Sequence, residues 1–549
     1  MTPTPMPPPT PMPPTPVPTP WWHDAVVYEV YIRSFADSNG DGVGDLDGIR
    51  SRLPYLASLG VDAIWITPFY PSPMHDHGYD VANYCDIDPV FGTLDDFDRL
   101  LAEAHSHGIR VVIDIVPNHT SNEHPWFREA ITDRTSPKRD WYLFRQPKPD
   151  GGEPNNWTSV FGGPAWTRDP ASGEFHLHLF DSSQPDLNWR NPEVHEAFHE
   201  VLRFWFDRGV DGFRIDVAHG LYKDEALRDN VLPTDIIPGT EHLHGIRAPY
   251  SWDQPETLDV WREWRRIADR YDDRMFVGEV FLFEMDRVAT YSGPGLLHQS
   301  FNFLVATMAF EPAAIRATVT RSLSLFLRAG TTPTWVLSNH DLVRHATRYG
   351  GGEAGLRRAR AATALLLGLP GSPYLYQGEE LGLEQSDVPP EARQDPIWRR
   401  TGKVGRDGCR TPIPWTADAG AGYGFTTGTP WLPFDVQASK RNVESEAAEV
   451  DSTLAFYRSA LRTRREIAAR VGDDVMWLEA PAGVVALTRA LGEPGRRLAI
   501  VVNTAATPVD VDLGVAVEEV LLSSGAAARS IGSTVTVPGE TTVWFEVGG

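Results

Sequence analysis

Short apolar, β-branched runs alternate with amphipathic helical stretches from residue 21 onward, and this alternation constrains the fold more than any other feature. AVVYEVYI (25–32) precedes the helix-like DLDGIRSRLPYLASLG (45–60), and DAIWIT (62–67) precedes LDDFDRLLAEAHSHG (94–108), with RVVIDIV (110–116) next. After a long interruption come PEVHEAFHEVLRFWFDRG (192–209), GFRIDV (212–217), PETLDVWREWRRIADRY (255–271) and MFVGEV (275–280). SFNF (300–303), PAAIRATVTRSLSLFLRAG (312–330), TPTWVLS (332–338), RRARAATALLLGLPG (357–371) and SPYLYQG (372–378) complete the series. The strand candidates are continuously apolar, as strands covered on both faces of a parallel sheet are. Gly60, Gly108 and Gly209 follow helices where a left-handed cap is needed. Eight such units predict an α/β fold, the (β/α)8 TIM barrel.

The interruption at 119–189 is too long for an ordinary loop and rich in Pro, Gly, Asn and Trp, so it reads as a small subdomain inserted after strand three, over the barrel mouth. The barrel then takes 21–118 and 190–471, with a second excursion over 379–450. Beyond 472 the texture changes to VVALTRA, LAIVVNT, VEEVLLSS, TVTVPG and TTVWFEV, the pattern of an antiparallel β-sandwich over 472–549. Residues 1–20 are Thr, Pro and Met with one Val, which predicts a disordered or polyproline-II tail and lacks the basic start and apolar centre of a signal peptide. Lys and Arg total 50 against 74 Asp and Glu, a formal charge of −24 that disfavours nucleic acid and anionic membranes as partners. No run approaches the length of a membrane span. Cys85 and Cys409 show no metal-type spacing and are read as reduced thiols, so the expected location is the cytoplasm.

Three carboxylates recur in one setting. Asp216 lies in DGFRIDVAHG (211–220), Glu279 in MFVGEV (275–280) and Asp341 in WVLSNHDLVR (335–344), each where an apolar run gives way to a loop. An acid at the mouth of a buried strand is costly unless it is paired or in use. A helix cap or an ion pair explains one; three in series point to chemistry. The C-terminal face of a barrel would gather them with Asn118 and His119. Paired carboxylates suit glycosidic cleavage, one attacking the anomeric carbon while the other protonates the leaving oxygen, and a third can offset the developing positive charge.

DIVPNHT (114–120), DGFRIDVAH, FVGEV and LSNHD resemble the four ordered conserved regions of glycoside hydrolase family 13, the α-amylase family. QPDLNW (184–189), SPMHDHGYDVANY (72–84), SPYLYQGEELG (372–382) and GRDGCRTPIPW (405–415) resemble its oligo-1,6-glucosidase and α-glucosidase branch. The resemblance implies Asp216 as nucleophile, Glu279 as general acid then base, and Asp341 as transition-state stabiliser. It further implies that Arg214 holds the nucleophile ionised and that His119 and His340 bond the glucose hydroxyls. Asp76 and Arg406 would grip the terminal sugar and close the pocket, Tyr79 would stack on the ring, and Phe161 and Phe180 would wall it. Arg410 would reach a second sugar or hold its loop. A closed pocket implies exo action on a small oligosaccharide, with no organic cofactor.

DSNGDGVGD (37–45) sets oxygen donors at alternate positions: Asp37, Asn39, Asp41, the carbonyl of Val43, and Asp45. That spacing wraps a chain around a hard cation, although Gly48 stands where an EF-hand has its bidentate Glu. In the resembling branch an equivalent loop holds Ca2+ or Mg2+ structurally. The pairs His75/His77, His176/His178 and His242/His244 lack a third ligand and read as surface or strand residues. Val217, next to the nucleophile, accompanies α-1,6 cleavage in this branch, whereas Ala218, His219, Gly220 and Phe281 depart from the usual isomaltase pattern, so α-1,4 and α-1,6 linkages both stand. A transglucosylase, sucrose isomerase or sucrose hydrolase would share the same glucosyl-enzyme intermediate. A non-catalytic transporter-partner relative would require a membrane helix and the loss of Asp216.

Overall fold

The computed structural model describes residues 19–230, 249–282 and 284–548; the proline-rich stretch through residue 18 and the pair His242/His244 lie outside them. Eight parallel strands form one sheet: β1 (Val27–Val30), β2 (Ala63–Ile66), β3 (Arg110–Ile115), β4 (Gly212–Ile215), β5 (Met275–Gly278), β6 (Gln299–Ser300), β7 (Thr334–Val336) and β8 (Ser372–Tyr376). Their order is β7-β8-β1-β2-β3-β4-β5-β6, the cyclic sequence of a (β/α)8 barrel. Every residue of β1, β2 and β4 is buried, which is why those segments lack polar alternation. At the seam between β6 and β7 a side chain takes over from the ladder. The Thr334 hydroxyl accepts from the Asn302 N–H at 3.0 Å and donates to the Ser300 carbonyl at 3.1 Å.

Helices cover the outside of the sheet. Leu94–Ser106 begins with a reciprocal capping box between Thr93 and Asp96. Pro192–Arg208 starts with Pro at its first position, where no N–H is needed, and ends at Gly209 with φ 106°. Thr257–Ala268 turns Trp261 and Trp264 into the core beside Phe276 of β5. Thus much of the tryptophan content is core filling.

Between β3 and β4 the chain makes the helix Pro125–Thr132 and a small antiparallel sheet of Phe144–Arg145, Trp166–Arg168 and Phe175–Leu177. The returning segment pairs with the end of β3, Leu187 N–H donating to the Asn118 carbonyl at 3.0 Å. His178 is held by Thr167 and Phe180, and His176 packs on Phe127. After the helix Thr453–Ala468, strands Met476–Leu478, Val484–Ala490, Arg497–Asn503, Ala516–Ser523 and Thr541–Gly548 form one antiparallel sheet. Val509–Asp512, Arg529–Ile531 and Thr534–Val537 form a second, and the two enclose Val501, Val511, Val535 and Phe545 as a β-sandwich. Its outer face docks on the helix Gly352–Gly368, where Trp544 Nε1 donates to the Ala364 carbonyl at 3.0 Å. Both cysteines are unpaired. No helix among the described residues is long and apolar enough to cross a membrane.

Candidate active site

A cavity opens at the C-terminal ends of the barrel strands. Asp216 follows β4, Glu279 follows β5, and Asp341 lies just past β7, so the parallel sheet delivers all three acids to one mouth. The backbone ladder continues one residue beyond the strands to fix them: Asp216 N–H donates to the Ile115 carbonyl at 2.9 Å and Glu279 N–H to the Ile215 carbonyl at 2.8 Å.

Arg214 organises the first pair of acids. Fully buried in β4, it faces inward like Asp216 two residues on. One terminal nitrogen stands 2.7 Å from Asp216 Oδ1 and 3.0 Å from Asp114 Oδ1, and the other 2.9 Å from Glu279 Oε1. One cation therefore serves three carboxylates, and the cluster cannot ionise fully without cost. Burial pushes Asp216 above the usual carboxylate range, opposed by Arg214 and reinforced by Glu279. Asp114 is raised to about 7, again by burial against Arg214. Arg214, 2.7 Å from Asp216, opposes the burial that raises this acid and favours its ionised form. Val217 takes φ 46°, a strained conformation for a β-branched residue, and its N–H donates to Glu279 Oε2 at 3.1 Å.

Asp341 sits in a different field. Arg406 and Arg410 contact its Oδ1 at 3.0 and 2.8 Å, and His340 Nε2 lies 3.3 Å from Oδ2. Burial alone would raise this acid, but His340, Arg406 and Arg410 hold it below the usual range. Arg406 also contacts Asp76 at 2.8 Å and Asp395 at 2.6 Å. Arg410 is fully buried and donates to the His340 carbonyl at 2.8 Å, so of its two expected uses the structure favours holding the loop. Asp76 is pushed up to about 6 by burial, against the pull of Arg406.

Asp76, Tyr79, His119, Phe161, Phe180, His340 and Arg406 line the same cavity, whereas Arg214 lies beneath it. The Tyr79 hydroxyl meets Asp114 Oδ2 at 3.0 Å and His340 Nε2 at 2.8 Å. His119 is brought to about 4 by burial and lies 3.1 Å from Gln184 Nε2, which also donates to Asp76. Phe161 lies under the Arg406 guanidinium, and Phe180 flanks His119. Asp114, Glu29, Gln184 and Asp395 escaped the sequence reading. Asp114 and Glu29 carried a usable signal, an acid inside an otherwise apolar strand. Behind the mouth, Lys223 Nζ stands 2.8 Å from Asn118 Oδ1, 2.6 Å from the Gly220 carbonyl and 2.7 Å from Asp186 Oδ2, tying β3, the β4 loop and the inserted segment together.

The 37–45 loop forms a spiral of turns in which Asp37, Asn39 and Asp41 each accept from the N–H two residues on, at 2.9, 2.9 and 2.8 Å. Asp45 caps the helix Leu46–Ser51 and also accepts from Ser38. The donor set is all oxygen and fits a hard cation. The carboxylates of Asp37, Asp41 and Asp45 do not all lie within 4.8 Å of one another, so such an ion would also need the Asn39 amide and the Val43 carbonyl.

This constellation has known counterparts. Residues 29–472 match the family described as "Alpha amylase, catalytic domain". The chain belongs to the α-amylase family. It is 41% identical over 487 residues to a probable α-glucosidase of Rhizobium meliloti (strain 1021), covering 86% of this chain and 87% of that protein. It is 39% identical over 481 residues to the oligo-1,6-glucosidase of Heyndrickxia coagulans, covering 81% and 85%. The crystal structure of the α-glucosyl transfer enzyme XgtA superposes with a TM-score of 0.88 at 40% identity, covering 97% of this chain and all of that one. As a member of this family the chain is a glycoside hydrolase, in the oligo-1,6-glucosidase and α-glucosidase branch.

Proposed function

We propose that this protein is a retaining, exo-acting α-glucosidase that releases terminal non-reducing glucose from short α-1,4- and/or α-1,6-linked oligosaccharides. The observation that carries the reading is the pairing of Asp216 and Glu279 on one guanidinium, in a cavity also lined by the Arg406–Asp76 ion pair. Two carboxylates on the two ends of one guanidinium suit the short separation, roughly 5–5.5 Å, at which one attacks C1 while the other serves the leaving oxygen. Asp216 forms the glucosyl-enzyme bond as the glycosidic bond breaks, and the Glu279 proton goes to the departing oxygen. Glu279 then takes a proton from water, whose oxygen attacks C1 and frees Asp216. Asp341, kept ionised by its two arginines, faces the charge that develops on the ring. Asp76 and Arg406 hold the far edge of the glucose, His119 and His340 its hydroxyls, and Tyr79, Phe161 and Phe180 its faces.

The inserted segment 119–189 acts here as a subdomain that shapes the pocket on the 21–118 and 190–471 barrel, with 472–549 as a separate supporting sandwich. A Ca2+ or Mg2+ ion in the 37–45 loop would be structural, held by Asp37, Asn39, Asp41, the Val43 carbonyl and Asp45, remote in role from the chemistry. Two unpaired thiols accord with the cytoplasm. A second reading, transfer of the glucosyl group to another sugar or action on sucrose, draws support from the similarity to the α-glucosyl transfer enzyme. Incubation with maltose, isomaltose, sucrose and trehalose, with products identified, separates the two. Free glucose as the main product supports hydrolysis; new disaccharides or longer products support transfer. No turnover of any of them would overturn both.

A further inference from the structure

The sequence reads His77 as a surface or strand residue, whereas the structure buries it at 4% exposure with no hydrogen-bond partner for either ring nitrogen. Three neighbouring groups share that condition. Tyr31 Oη, Arg33 Nε and Arg410 Nη1 are buried polar atoms without a partner, on side chains of which Tyr31 and Arg410 are almost wholly enclosed. All four groups gather around Trp431 and Tyr31. The centre of the Trp431 ring lies 5.2 Å from that of His77, 6.2 Å from that of Tyr31 and 4.5 Å from the Arg33 guanidinium. The Arg410 guanidinium lies 5.3 Å from the Tyr31 ring. Trp431 is itself fixed, its Nε1 donating to Ser34 Oγ at 2.9 Å.

The chemistry of this cluster is one-sided. Arg33 and Arg410 carry donors and no acceptor, and Tyr31 adds an O–H. Burial, and after it the Arg33 and Arg410 charges, push His77 well below the usual histidine range, so its ring stays neutral and adds one N–H. The acids close by are already engaged. Asp76 and Asp395 pair with Arg406, and Asp341 pairs with Arg406 and Arg410. Among the described residues Arg33 contacts no carboxylate, and its side chain donates only to the Met74 sulfur, at 3.4 Å. A buried cation without a counter-charge is costly, and so is each unmet buried donor. A small anion, which accepts hydrogen bonds and never donates them, answers both costs. Water suits the place less well, because its own two protons find few acceptors there.

The cluster lies behind the sugar site. None of its four residues lines the cavity, although Asp76, next to His77, does. Tyr31 and Arg33 follow β1, His77 follows β2, and Arg410 belongs to the long excursion after β8. The remaining nitrogens of Arg410 donate to Asp341 Oδ1 and to the His340 carbonyl, both at 2.8 Å.

We propose that Tyr31, Arg33, His77 and Arg410 bind a small inorganic anion of halide size, between the loops that follow β1, β2 and β8. The ion supplies the counter-charge that Arg33 lacks and fixes Arg410 against Asp341. It is a structural ligand that touches no substrate, so the proposal stands independently of the α-glucosidase reading.

The test follows thermal unfolding of the full-length protein at constant ionic strength as sodium chloride replaces sodium isethionate, whose anion is too bulky for the cluster. The unfolding midpoint should rise by about 1–2 °C and then level off, as a saturable site requires. Bromide should act as chloride does. Arg33→Met should abolish the rise. Tyr31→Phe, which removes one oxygen and keeps the ring, should need about fivefold more chloride for half of it. Equal midpoints for the wild type in chloride and isethionate would overturn the proposal. So would a rise that survives undiminished in either variant, since the ion would then bind elsewhere. If Arg33→Met does not fold, Tyr31→Phe decides between these outcomes.

Discussion

At the scale of single residues, the site depends on how few cations serve many acids. Arg214 answers for Asp114, Asp216 and Glu279, so the ionisation of each depends on the others. Replacing Asp216 with Asn removes the proposed nucleophile and should lower kcat on p-nitrophenyl α-glucoside by roughly 10⁴-fold or more with the fold intact by circular dichroism; retention of most of the turnover would end the assignment. Glu279→Gln makes a finer test. It removes the proposed proton donor, so kcat/KM should fall far more on maltose than on p-nitrophenyl α-glucoside, whose leaving group needs little protonation; equal losses on both would end the assignment. Asp76 gives a third case. Raised to about 6, it loses its charge as the pH falls through that value, and with it the pairing to Arg406 that positions both groups for sugar hydroxyls. KM for maltose should therefore rise between pH 7 and pH 5, and Asp76→Asn should have a high KM that no longer varies over that range. Much of this was legible because acids at the ends of apolar runs stand out. Asp395 was not, since it lies in the 379–450 excursion, where no period marks a position as buried.

At the scale of elements, seven strand segments were legible because a strand covered on both faces must be apolar throughout, whereas β6, Gln299–Ser300, is polar and meets the expected SFNF run only at Ser300. Glu29 in β1 and Asp114 in β3 break that rule, and both turn inward, to His340 and Arg214. What the pattern could not convey is how the loops are joined, since contacts between distant segments leave no periodicity. Lys223 is the main instance. Its ammonium meets Asn118 after β3, Gly220 after β4 and Asp186 of the returning segment, a role that its place in GLYKDE does not announce. Lys223→Met would leave the fully buried Asp186 carboxylate without its counter-charge, which costs about 3–5 kcal/mol. Urea unfolding should show that loss, and adding Asp186→Asn should recover part of it by removing the stranded charge. Equal stability of Lys223→Met and the wild type would show that the cation holds nothing together.

At the scale of the whole molecule, the change of texture at 472 signalled a second all-β unit, but not which barrel helix it rests on. The structure gives that as Gly352–Gly368. Glu540 receives Arg357 and Arg358, both at 2.7 Å, Thr542 donates to the Ala361 carbonyl, and Trp544 donates to the Ala364 carbonyl. Gly368 ends this helix against the sandwich. A Cβ there would stand 2.4 Å from Ile500 Cδ1 and 3.1 Å from the Trp544 ring, so the glycine serves close packing rather than chain flexibility. Gly368→Val should wedge the two units apart at an overpacking cost of about 1–3 kcal/mol. The strained interface lies behind β8, away from the acids at the strand ends. Thermal unfolding of the variant should therefore begin at lower temperature, while kcat/KM on p-nitrophenyl α-glucoside at 25 °C stays within about twofold of the wild type. A large loss of activity at unchanged stability would reverse that picture, because it would mean that the sandwich shapes the pocket through the barrel wall rather than supporting it from outside.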